Sequence, residues 1–319
     1  MISLDKKIMD ENSPVAARMI EYGKTDELFI LIPDNKKQAL NLSDTVYVES
    51  TGGNKIAQFF RLIKLGKKII KANEIKFITV QDPFYLGKVG WLLKRKFKLN
   101  LEVQLHGDFF GSDYYKKENP LKYRLGKFII KRADSLRAVS ERIKQSLIKI
   151  GIAENKIEIK PVKFDAEYIK NYQPKINLRE KYPNKKVFLF LGRLAPVKNV
   201  DFLQEIFKLI ANQRKDYLLL VVGGGDIKVK ESENIKVENW TNDPISYLKT
   251  ADCVLFPSLS EGYGLVPMEA VAAGAKVIMS DVGVANYELK PSQTVKIIPL
   301  NDKPAWIEAI LNVCPPKFL

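Results

Sequence analysis

The sequence predicts an α/β protein made of two Rossmann-like, doubly wound domains. Short apolar runs typical of buried parallel strands alternate with segments of helical periodicity along the chain. A length of 319 residues suits two domains, since a domain typically has roughly 150 residues. We place the first domain at residues 1–164 and the second at residues 165–319.

The composition is that of a globular protein, with 46% hydrophobic and 28% charged residues. No run approaches the roughly 18 apolar residues of a membrane-spanning helix, and the first residues are not those of a signal peptide. The two cysteines, Cys253 and Cys314, are too few for a disulfide framework. We therefore expect a reducing, cytoplasmic setting.

The positive charge is concentrated in one part of the chain. The formal net charge is +15, and residues 51–150, with 23 basic and 8 acidic residues, hold an excess of the same size. Such a concentration indicates an anionic partner: lipid headgroups, a lipid-pyrophosphate acceptor or nucleic acid. A lysine-rich solvated surface remains the alternative.

In the first half, we predict strands at residues 2–4, 28–32, 46–48, 77–80, 101–105 and 157–161. Helices are predicted at residues 14–22 and 56–70. For the second helix, the apolar side consists of Ile56, Phe59, Phe60, Ile63 and Ile70.

His106 is the only histidine of the chain, and it follows the strand predicted at residues 101–105. Ligands of open α/β sheets lie outside the carboxyl ends of the strands, so His106 is a candidate site residue. Asp82 follows another strand and is expected on the same rim. Asp108 is a weaker candidate that could cap the loop through Ser112. A structural role for a lone histidine stays open.

Residues 88–98 combine basic and large apolar side chains. This pattern fits an interfacial helix that inserts apolar groups into a membrane boundary while its basic groups face anionic lipid. The candidate membrane or acceptor face consists of Trp91, Lys94, Arg95, Lys96 and Lys98. A core helix with a basic outer face is the alternative.

The second half begins with residues 170–186, whose Lys, Asn and Pro content is typical of a linker. A strand at 187–191 then runs into Gly192, and a helix starts near Asn199. Arg193 and Lys198 are thereby held beside a helix N-terminus, which is a suitable place for a diphosphate.

Residues 253–279 form a β-loop-α-β unit. A strand ends at Pro257, a helix has Pro267 in its first turn and stops at Gly274, and a second strand follows. Two carboxylates, Glu261 and Glu269, stand eight positions apart in this unit. A strand–helix corner with one solvated and one capping glutamate would show the same residues.

These motifs resemble a known family. Residues 256–274 read F-P-S-L-S-E-G-Y-G-L-V-P-M-E-A-V-A-A-G, similar to the E-x7-E signature of retaining, nucleotide-sugar-dependent glycosyltransferases of family 4 (group 1). Arg193 with Lys198, His106 with Gly107, and the A-V-S run ending at Ser140 match further motifs of that family. The resemblance is strongest over residues 187–283.

The resemblance implies the GT-B fold, in which two such domains face each other across a cleft. It implies an acceptor-binding first domain, and a donor-binding second domain that holds a nucleoside-diphosphate sugar. A hexosyl unit would pass to an acceptor hydroxyl with retention, without a cofactor or metal. The implied catalytic residues are His106, Glu261, Arg193 and Lys198. The implied donor-binding residues are Arg193, Lys198, Gly223, Gly224, Trp240, Glu261, Gly262, Tyr263, Gly264, Leu265 and Glu269.

Members of the family often carry further C-terminal helices, so we expect a compact or a truncated member. The basic face favours a lipid-linked glycan acceptor at the inner membrane surface. Three alternatives remain: a non-catalytic sugar-nucleotide-binding protein, a phosphorylase or epimerase of the same fold, and a basic nucleic-acid-binding protein. The last lacks a recognised reader motif, so no nucleic-acid partner is expected.

Overall fold

The structure is a computed structural model that describes residues 1–313, and it contains two compact α/β units. The first unit comprises residues 1–139 and 143–160; the second comprises residues 140–142 and the chain from residue 161 onward. The predicted fold class, two Rossmann-like α/β units, is confirmed. Cys314 and the end of the chain lie outside the described residues.

The first unit is built on a mostly parallel sheet. Its strands are β1 (Leu28–Ile32), β2 (Ala39–Ser43), β3 (Val46–Ser50), β4 (Phe77–Val80), β5 (Asn100–Leu105), β6 (Ser135–Ala138) and β7 (Ile157–Ile159). They pair in the orders β1-β3-β2 and β4-β5-β6-β7, and only the β2–β3 pairing is antiparallel. Ile2 bridges Leu31 and Val80, so the strand predicted at residues 2–4 is reduced to one bridging residue. The strand β2 was not predicted.

The helices of this part of the chain are α1 (Pro14–Gly23), α2 (Lys55–Ala72), α3 (Tyr85–Phe97), α4 (Asp113–Glu118), α5 (Pro120–Ile130) and α6 (Glu141–Lys149). Side-chain caps explain two of the starts, since Ser13 accepts from the Ala16 amide and Asn54 accepts from the Ala57 amide.

The predicted apolar side of α2 is wrong for two of its five residues, Ile56 and Phe60, whereas the other three are half-buried. Ile56 is 73% exposed and Phe60 is 64% exposed, whereas Leu62 and Gly66 are buried. The reason is the close approach of α3: a Cβ at Gly66 would lie 2.6 Å from Cδ1 of Leu93. The helix turns its small residue toward α3, which leaves the larger apolar residues of its first turns in solvent.

The second unit contains a six-stranded, all-parallel sheet in the order β10-β9-β8-β11-β12-β13. Its strands are β8 (Lys186–Leu191), β9 (Tyr217–Val222), β10 (Ile235–Glu238), β11 (Cys253–Phe256), β12 (Val277–Ser280) and β13 (Val295–Ile298). Its helices are α7 (Ala166–Asn171), α8 (Leu178–Lys181), α9 (Val200–Ile210), α10 (Pro244–Thr250), α11 (Leu265–Ala272) and α12 (Lys303–Val313). Strand order reverses between β8 and β11, which is the topological switch point of a doubly wound sheet.

The predicted linker at residues 170–186 is wrong, because this segment packs within the second unit. Leu178 is fully buried, and its amide donates to Oγ1 of Thr250 at 3.3 Å. The Lys175 amide donates to Oγ of Ser246 at 2.7 Å. Buried Leu178, these two hydrogen bonds and the bond from the Tyr182 hydroxyl to Glu238 at 2.6 Å anchor a segment whose composition is otherwise that of a linker.

Trp306 is the largest fully buried side chain of the second unit's core. Its ring meets the ring of Phe202 on α9 in a T-shaped contact, with 5.8 Å between centroids. This contact fastens α12 to α9, while the indole Nε1 has no hydrogen-bond partner among the described residues.

We expect Trp306→Ala to lower the free energy of unfolding by about 3–5 kcal/mol, because it leaves a large cavity. Trp306→Phe should cost much less, since it keeps a ring against Phe202 and removes the unpaired N–H. Equilibrium urea denaturation of the two variants measures the difference. Equal losses would show that Trp306 is not a packing anchor.

Candidate functional site

The loops that follow β8 and β11 meet at the switch point. Their backbones are joined where the Leu259 amide donates to the Val197 carbonyl at 2.8 Å. The Asn199 side-chain amide donates to the Pro257 carbonyl at 3.3 Å. Ligands of doubly wound sheets bind at this point, so these two loops are the second unit's candidate site.

Lys198 and Glu261 are brought together by these loops. The Lys198 Nζ lies 2.5 Å from Oε1 of Glu261, and only 21% and 13% of the two side chains are exposed. The same ammonium lies 5.4 Å from the centre of the Phe256 ring. A cation held this way can shift to a bound anion, and the carboxylate is then free to accept from other donors.

Arg193 stands between Gly192 and the start of the 3-10 turn Pro196–Lys198, and its side chain is exposed. Its guanidinium has no hydrogen-bond or ion-pair partner within residues 1–313. The backbone beside it is fixed, since the Leu194 amide donates to the Gly224 carbonyl at 2.9 Å. The loop therefore presents an unpaired planar cation on a rigid base.

Glu269 lies in the second turn of α11 and is half-buried. Burial raises the pKa of its carboxyl above the usual value. In the described part of the chain the carboxylate has no hydrogen-bond partner. A desolvated, unpaired carboxylate is a favourable acceptor for ligand hydroxyls.

The glycines after β9 have a packing function. A Cβ at Gly223 would lie 1.9 Å from the Gly192 carbonyl oxygen, and one at Gly225 would lie 2.2 Å from the Leu194 carbonyl oxygen. Gly224 is exposed, with nothing within 4 Å of its Cβ position. Gly223 thus supports the Arg193 loop, while its predicted contact with a donor and that of Gly224 stay predictions.

Two hydrogen bonds fix the Gly262–Leu265 backbone. The hydroxyl of Ser140 donates to the Gly262 carbonyl at 2.7 Å, and the Val284 amide donates to the Tyr263 carbonyl at 2.7 Å. Gly264, with φ +91°, is the N-cap of α11, which begins at Leu265. The backbone of this loop is therefore set before any ligand arrives.

Sequence reasoning missed Arg142, which binds the loop that follows β12. Its guanidinium donates from Nε to the Gly283 carbonyl at 3.0 Å and from Nη2 to the Ala285 carbonyl at 2.8 Å. It also pairs with Asp281 and lies 5.2 Å from the centre of the Tyr287 ring. An arginine in the first turn of an amphipathic helix ordinarily faces solvent, so the sequence carries no signal for this role.

Trp240 lies in the loop after β10 and is 66% exposed. The structure gives no packing reason for a large ring there. Its predicted donor contact stays a prediction.

In the first unit, His106 follows β5 and its residue is exposed. Surrounding protein atoms nevertheless lower the pKa of the imidazole, and the positive charges of Arg137 and Arg18 act in the same direction. Both effects favour the neutral form of the ring. Its Nε2 lies 3.2 Å from Oε1 of Gln104.

The two carboxylates near this rim have structural roles. Asp82 is buried and accepts from the Phe84 and Leu86 amides at 2.6 and 3.3 Å, at the start of α3. Asp108 accepts from the Gly111 amide at 2.9 Å, and its suggested cap through Ser112 stays a prediction.

On α3, some residues of the predicted membrane or acceptor face contact other parts of the protein. The Trp91 ring packs edge-on against Phe128 of α5 at 5.1 Å, and the Arg95 guanidinium lies 5.1 Å from the centre of the Trp91 ring. Lys94 is paired with Asp134 at 2.6 Å. The other two predicted residues, Lys96 and Lys98, are exposed.

Three further properties of residues 1–313 bear on function. They contain no helix long and apolar enough to cross a membrane. They also contain no group of three histidine, cysteine or acidic side chains placed to hold a metal ion. The Cys253 thiol is buried in β11, with its sulfur 3.7 Å from the Val254 carbonyl oxygen.

Two family models match the chain, one to each half. "Glycosyltransferase Family 4" matches residues 28–166, and "Glycosyl transferases group 1" matches residues 185–314. The chain belongs to the family 4, group 1 glycosyltransferases.

The Escherichia coli enzyme UDP-Gal:alpha-D-GlcNAc-diphosphoundecaprenol alpha-1,3-galactosyltransferase is similar to this family 4 chain. The two are 30% identical over 235 residues, which cover 67% of the chain and 60% of the relative. The chain thus spans about 60% of the length of the curated relatives that it matches at 30% identity.

Two solved structures share the fold. Sucrose-phosphate synthase from Thermosynechococcus elongatus has a TM-score of 0.75 at 16% identity, covering 98% of this chain and 89% of that one. Anabaena HepE, solved in complex with UDP, has a TM-score of 0.72 at 17% identity, covering 98% and 88%. The predicted GT-B fold class is thereby confirmed.

A matched pair of glycine substitutions tests the packing role of Gly223. Gly223→Ala should lower the unfolding free energy by more than about 1 kcal/mol, because its Cβ meets backbone and φ is +154°. Gly224→Ala, with open space around it, should leave stability unchanged within about 0.5 kcal/mol. Urea denaturation measures both, and equal effects would contradict the packing role of Gly223.

Proposed function

We propose that this chain transfers a hexosyl unit from a nucleoside-diphosphate sugar to an acceptor hydroxyl, with retention at the anomeric carbon. The observation that carries the proposal is the Lys198–Glu261 pair at the switch point, 2.5 Å apart. The unpaired Arg193 and Glu269 stand on the same two chain segments. Both cations follow β8 and both carboxylates follow β11, so one ligand with a diphosphate and hydroxyl groups suits all four.

The departing diphosphate is the main electrostatic demand of the reaction. Its negative charge grows as the sugar becomes oxocarbenium-like, so fixed cations stabilise the transition state more than the bound donor. Arg193 supplies planar paired donors and Lys198 a mobile point charge. As Lys198 turns from Glu261 to the diphosphate, Glu261 becomes free to accept from sugar hydroxyls.

Glu269 is proposed to accept hydrogen bonds from the ribose hydroxyls. Its pKa is raised by burial, so the ionised form is fully present only above that raised value. Nucleotide binding should therefore weaken on acidification at a higher pH than an ordinary glutamate would dictate. The Gly262–Leu265 backbone and Trp240 would contact the remainder of the donor.

His106 is proposed to hydrogen-bond the donor sugar as a neutral imidazole. Because Arg193 and Lys198 offer the charge that the diphosphate needs, we propose that no metal or cofactor takes part. Activity that is unchanged by the chelator EDTA would support a metal-independent reaction, and activity lost with EDTA would contradict it.

We further propose a role in cell-envelope glycan or glycolipid synthesis, at the cytoplasmic side of the membrane. The E. coli relative's name states a UDP-galactose donor and a diphosphoundecaprenol-linked acceptor. The net charge of residues 51–150 suits an anionic lipid-linked acceptor.

Docking on the membrane is proposed to use α3 together with α5. Leu121 is 77% exposed and Phe128 is 37% exposed, and the Arg132 guanidinium lies 3.6 Å from the centre of the Phe128 ring. Lys96 near the end of α3 and Lys98 directly after it are exposed and add positive charge to this part of the chain. Apolar insertion flanked by cations is the arrangement that anionic bilayers bind.

A thermal-shift screen of UDP, GDP, ADP and dTDP tests the donor site. One nucleotide should stabilise the protein selectively, by about 2.7 kcal/mol at about 100 times its Kd. Arg193→Ala and Glu269→Ala should abolish the shift, because they remove a diphosphate donor and a ribose acceptor.

The exposed residues Arg179 and Glu233 provide the matched controls, as Arg179→Ala and Glu233→Ala. A response that is absent for every nucleotide would overturn the donor site. Binding without transfer or donor hydrolysis would favour the non-catalytic sugar-nucleotide-binding alternative. The anomeric configuration of the first product, read by ¹H NMR, tests retention.

Vesicle flotation tests the membrane face. The protein should float with vesicles rich in anionic lipid and not with zwitterionic vesicles. The double substitution Leu121→Ser with Phe128→Ser should weaken binding about tenfold or more, because two apolar groups no longer insert.

The control is Ile56→Ser with Phe60→Ser, which removes two exposed apolar groups from α2. Loss of flotation in the control alone would place the contact on α2 instead. Salt-sensitive binding to nucleic acid without flotation would favour the nucleic-acid alternative.

A further inference from the structure

A row of polar side chains leads along the first unit's sheet to His106. Side chains two residues apart on a strand share a face, so Glu102, Gln104 and His106 point the same way from β5. Thr79 on β4 stands opposite Glu102 in the parallel register. Gln104 is only 5% exposed, so its polar atoms depend on protein partners.

The hydrogen bonds in this row have a single consistent direction. The Thr79 hydroxyl donates to Oε1 of Glu102 at 2.7 Å, and the Gln104 Nε2 donates to Oγ1 of Thr79 at 2.8 Å. The Gln104 Oε1 then faces Nε2 of His106 at 3.2 Å. A carboxylate only accepts, so Thr79 must donate to it and must in turn accept from Gln104.

We propose that Gln104 is a positioning residue that holds His106 as the neutral tautomer with its proton on Nε2. The amide oxygen facing the ring can only accept, so Nε2 must carry the proton. The lone pair then resides on Nδ1, which has no hydrogen-bond partner within residues 1–313. The inference deepens the proposed role of His106 and rests on it for its functional meaning.

The opposite orientation of Gln104 is disfavoured by the same row. With its amide reversed, its oxygen would face Thr79 and the threonine hydroxyl would be drawn away from Glu102. The Gln104 Nε2 would then face the His106 ring. The Glu102 carboxylate is therefore the group that sets the direction, and Thr79 and Gln104 transmit it over two strands.

The charges around the ring agree with a neutral imidazole. Arg137 on β6 stands opposite Gln104 in the parallel register, and it lowers the pKa of His106 together with Arg18 on α1. Glu102 is the one carboxylate of the row, and it is already engaged by Thr79. These charges favour a neutral ring, in which Nδ1 is the acceptor atom when Nε2 carries the proton.

The consequence concerns what His106 can recognise. A neutral ring with a free Nδ1 lone pair accepts a hydrogen bond from a hydroxyl, but it has no remaining N–H to donate to a phosphate oxygen. The ligand group facing His106 is accordingly a hydroxyl of a sugar or of the acceptor.

The experiment is long-range ¹H–¹⁵N NMR of the imidazole, and it needs no ligand. His106 is the only histidine, so the spectrum contains a single ring. We expect the Nε2–H tautomer with an observable Nε2 proton in the unmodified protein. Gln104→Leu should remove that proton signal by exposing it to exchange, and the ring should relax to mixed tautomers.

Two further variants change the group that faces the ring, and thermal denaturation checks that each one is folded. Gln104→Glu retains the acceptor, so it should keep the Nε2–H tautomer and raise the pKa of His106. Gln104→Lys places a donor there, so it should invert the tautomer to Nδ1–H. An Nδ1–H ring in the unmodified protein, or the same tautomer in all three variants, would overturn the proposal.

Activity provides a separate arm. Gln104→Leu should lower kcat/KM about tenfold, the effect of one well-made hydrogen bond, while the thermal shift by nucleotide is unchanged. Failure of nucleotide binding would contradict the proposed function and leave the NMR result standing. If the tautomer changes in Gln104→Leu but kcat/KM stays at the value of the unmodified protein, the catalytic part of the proposal is overturned.

Discussion

The structure of the second unit depends on the parallel pairing of β8 with β11. Cys253 and Val254 are in register with Phe188 and Leu189, so both strands end at the same edge of the sheet. One strand is followed by a loop with two cations, and the other by a loop and helix with two carboxylates. The Lys198–Glu261 pair is a direct result, since residues 63 positions apart meet only because their strands are neighbours. A slip in this register would separate the two charges.

A residue's role could be predicted from the sequence where neighbouring residues in the chain determine it, and not where distant parts of the chain do. The strand ends, the helix that begins after Asn199 and the left-handed end at Gly274 follow from short patterns of apolar residues, glycine and proline. Because Arg193 and Lys198 lie between the end of β8 and the start of α9, their positions could be predicted as well. The solvent exposure of Ile56 and Phe60 could not be predicted, because it depends on how closely α3 approaches Gly66.

The same limit explains what was missed at the site. The Arg142 contacts join positions about 140 residues apart, and its local sequence is that of an ordinary amphipathic helix. The polar row behind His106 depends on the register of β4 against β5, which pattern alone does not provide. In contrast, Glu261 and Glu269 were recognisable because their spacing, glycines and prolines all lie within one continuous segment.

The helix α6 is divided between the two units, and this has a consequence for protein engineering. Residues 140–142 belong to the second unit, whereas residues 143–160 belong to the first. A fragment that starts at residue 161 would leave the carbonyls of Gly283, Ala285 and Gly262 without the donors that Arg142 and Ser140 provide. A fragment that starts earlier carries a piece of the other unit's helix. No single cut position therefore yields both units with all of their residues.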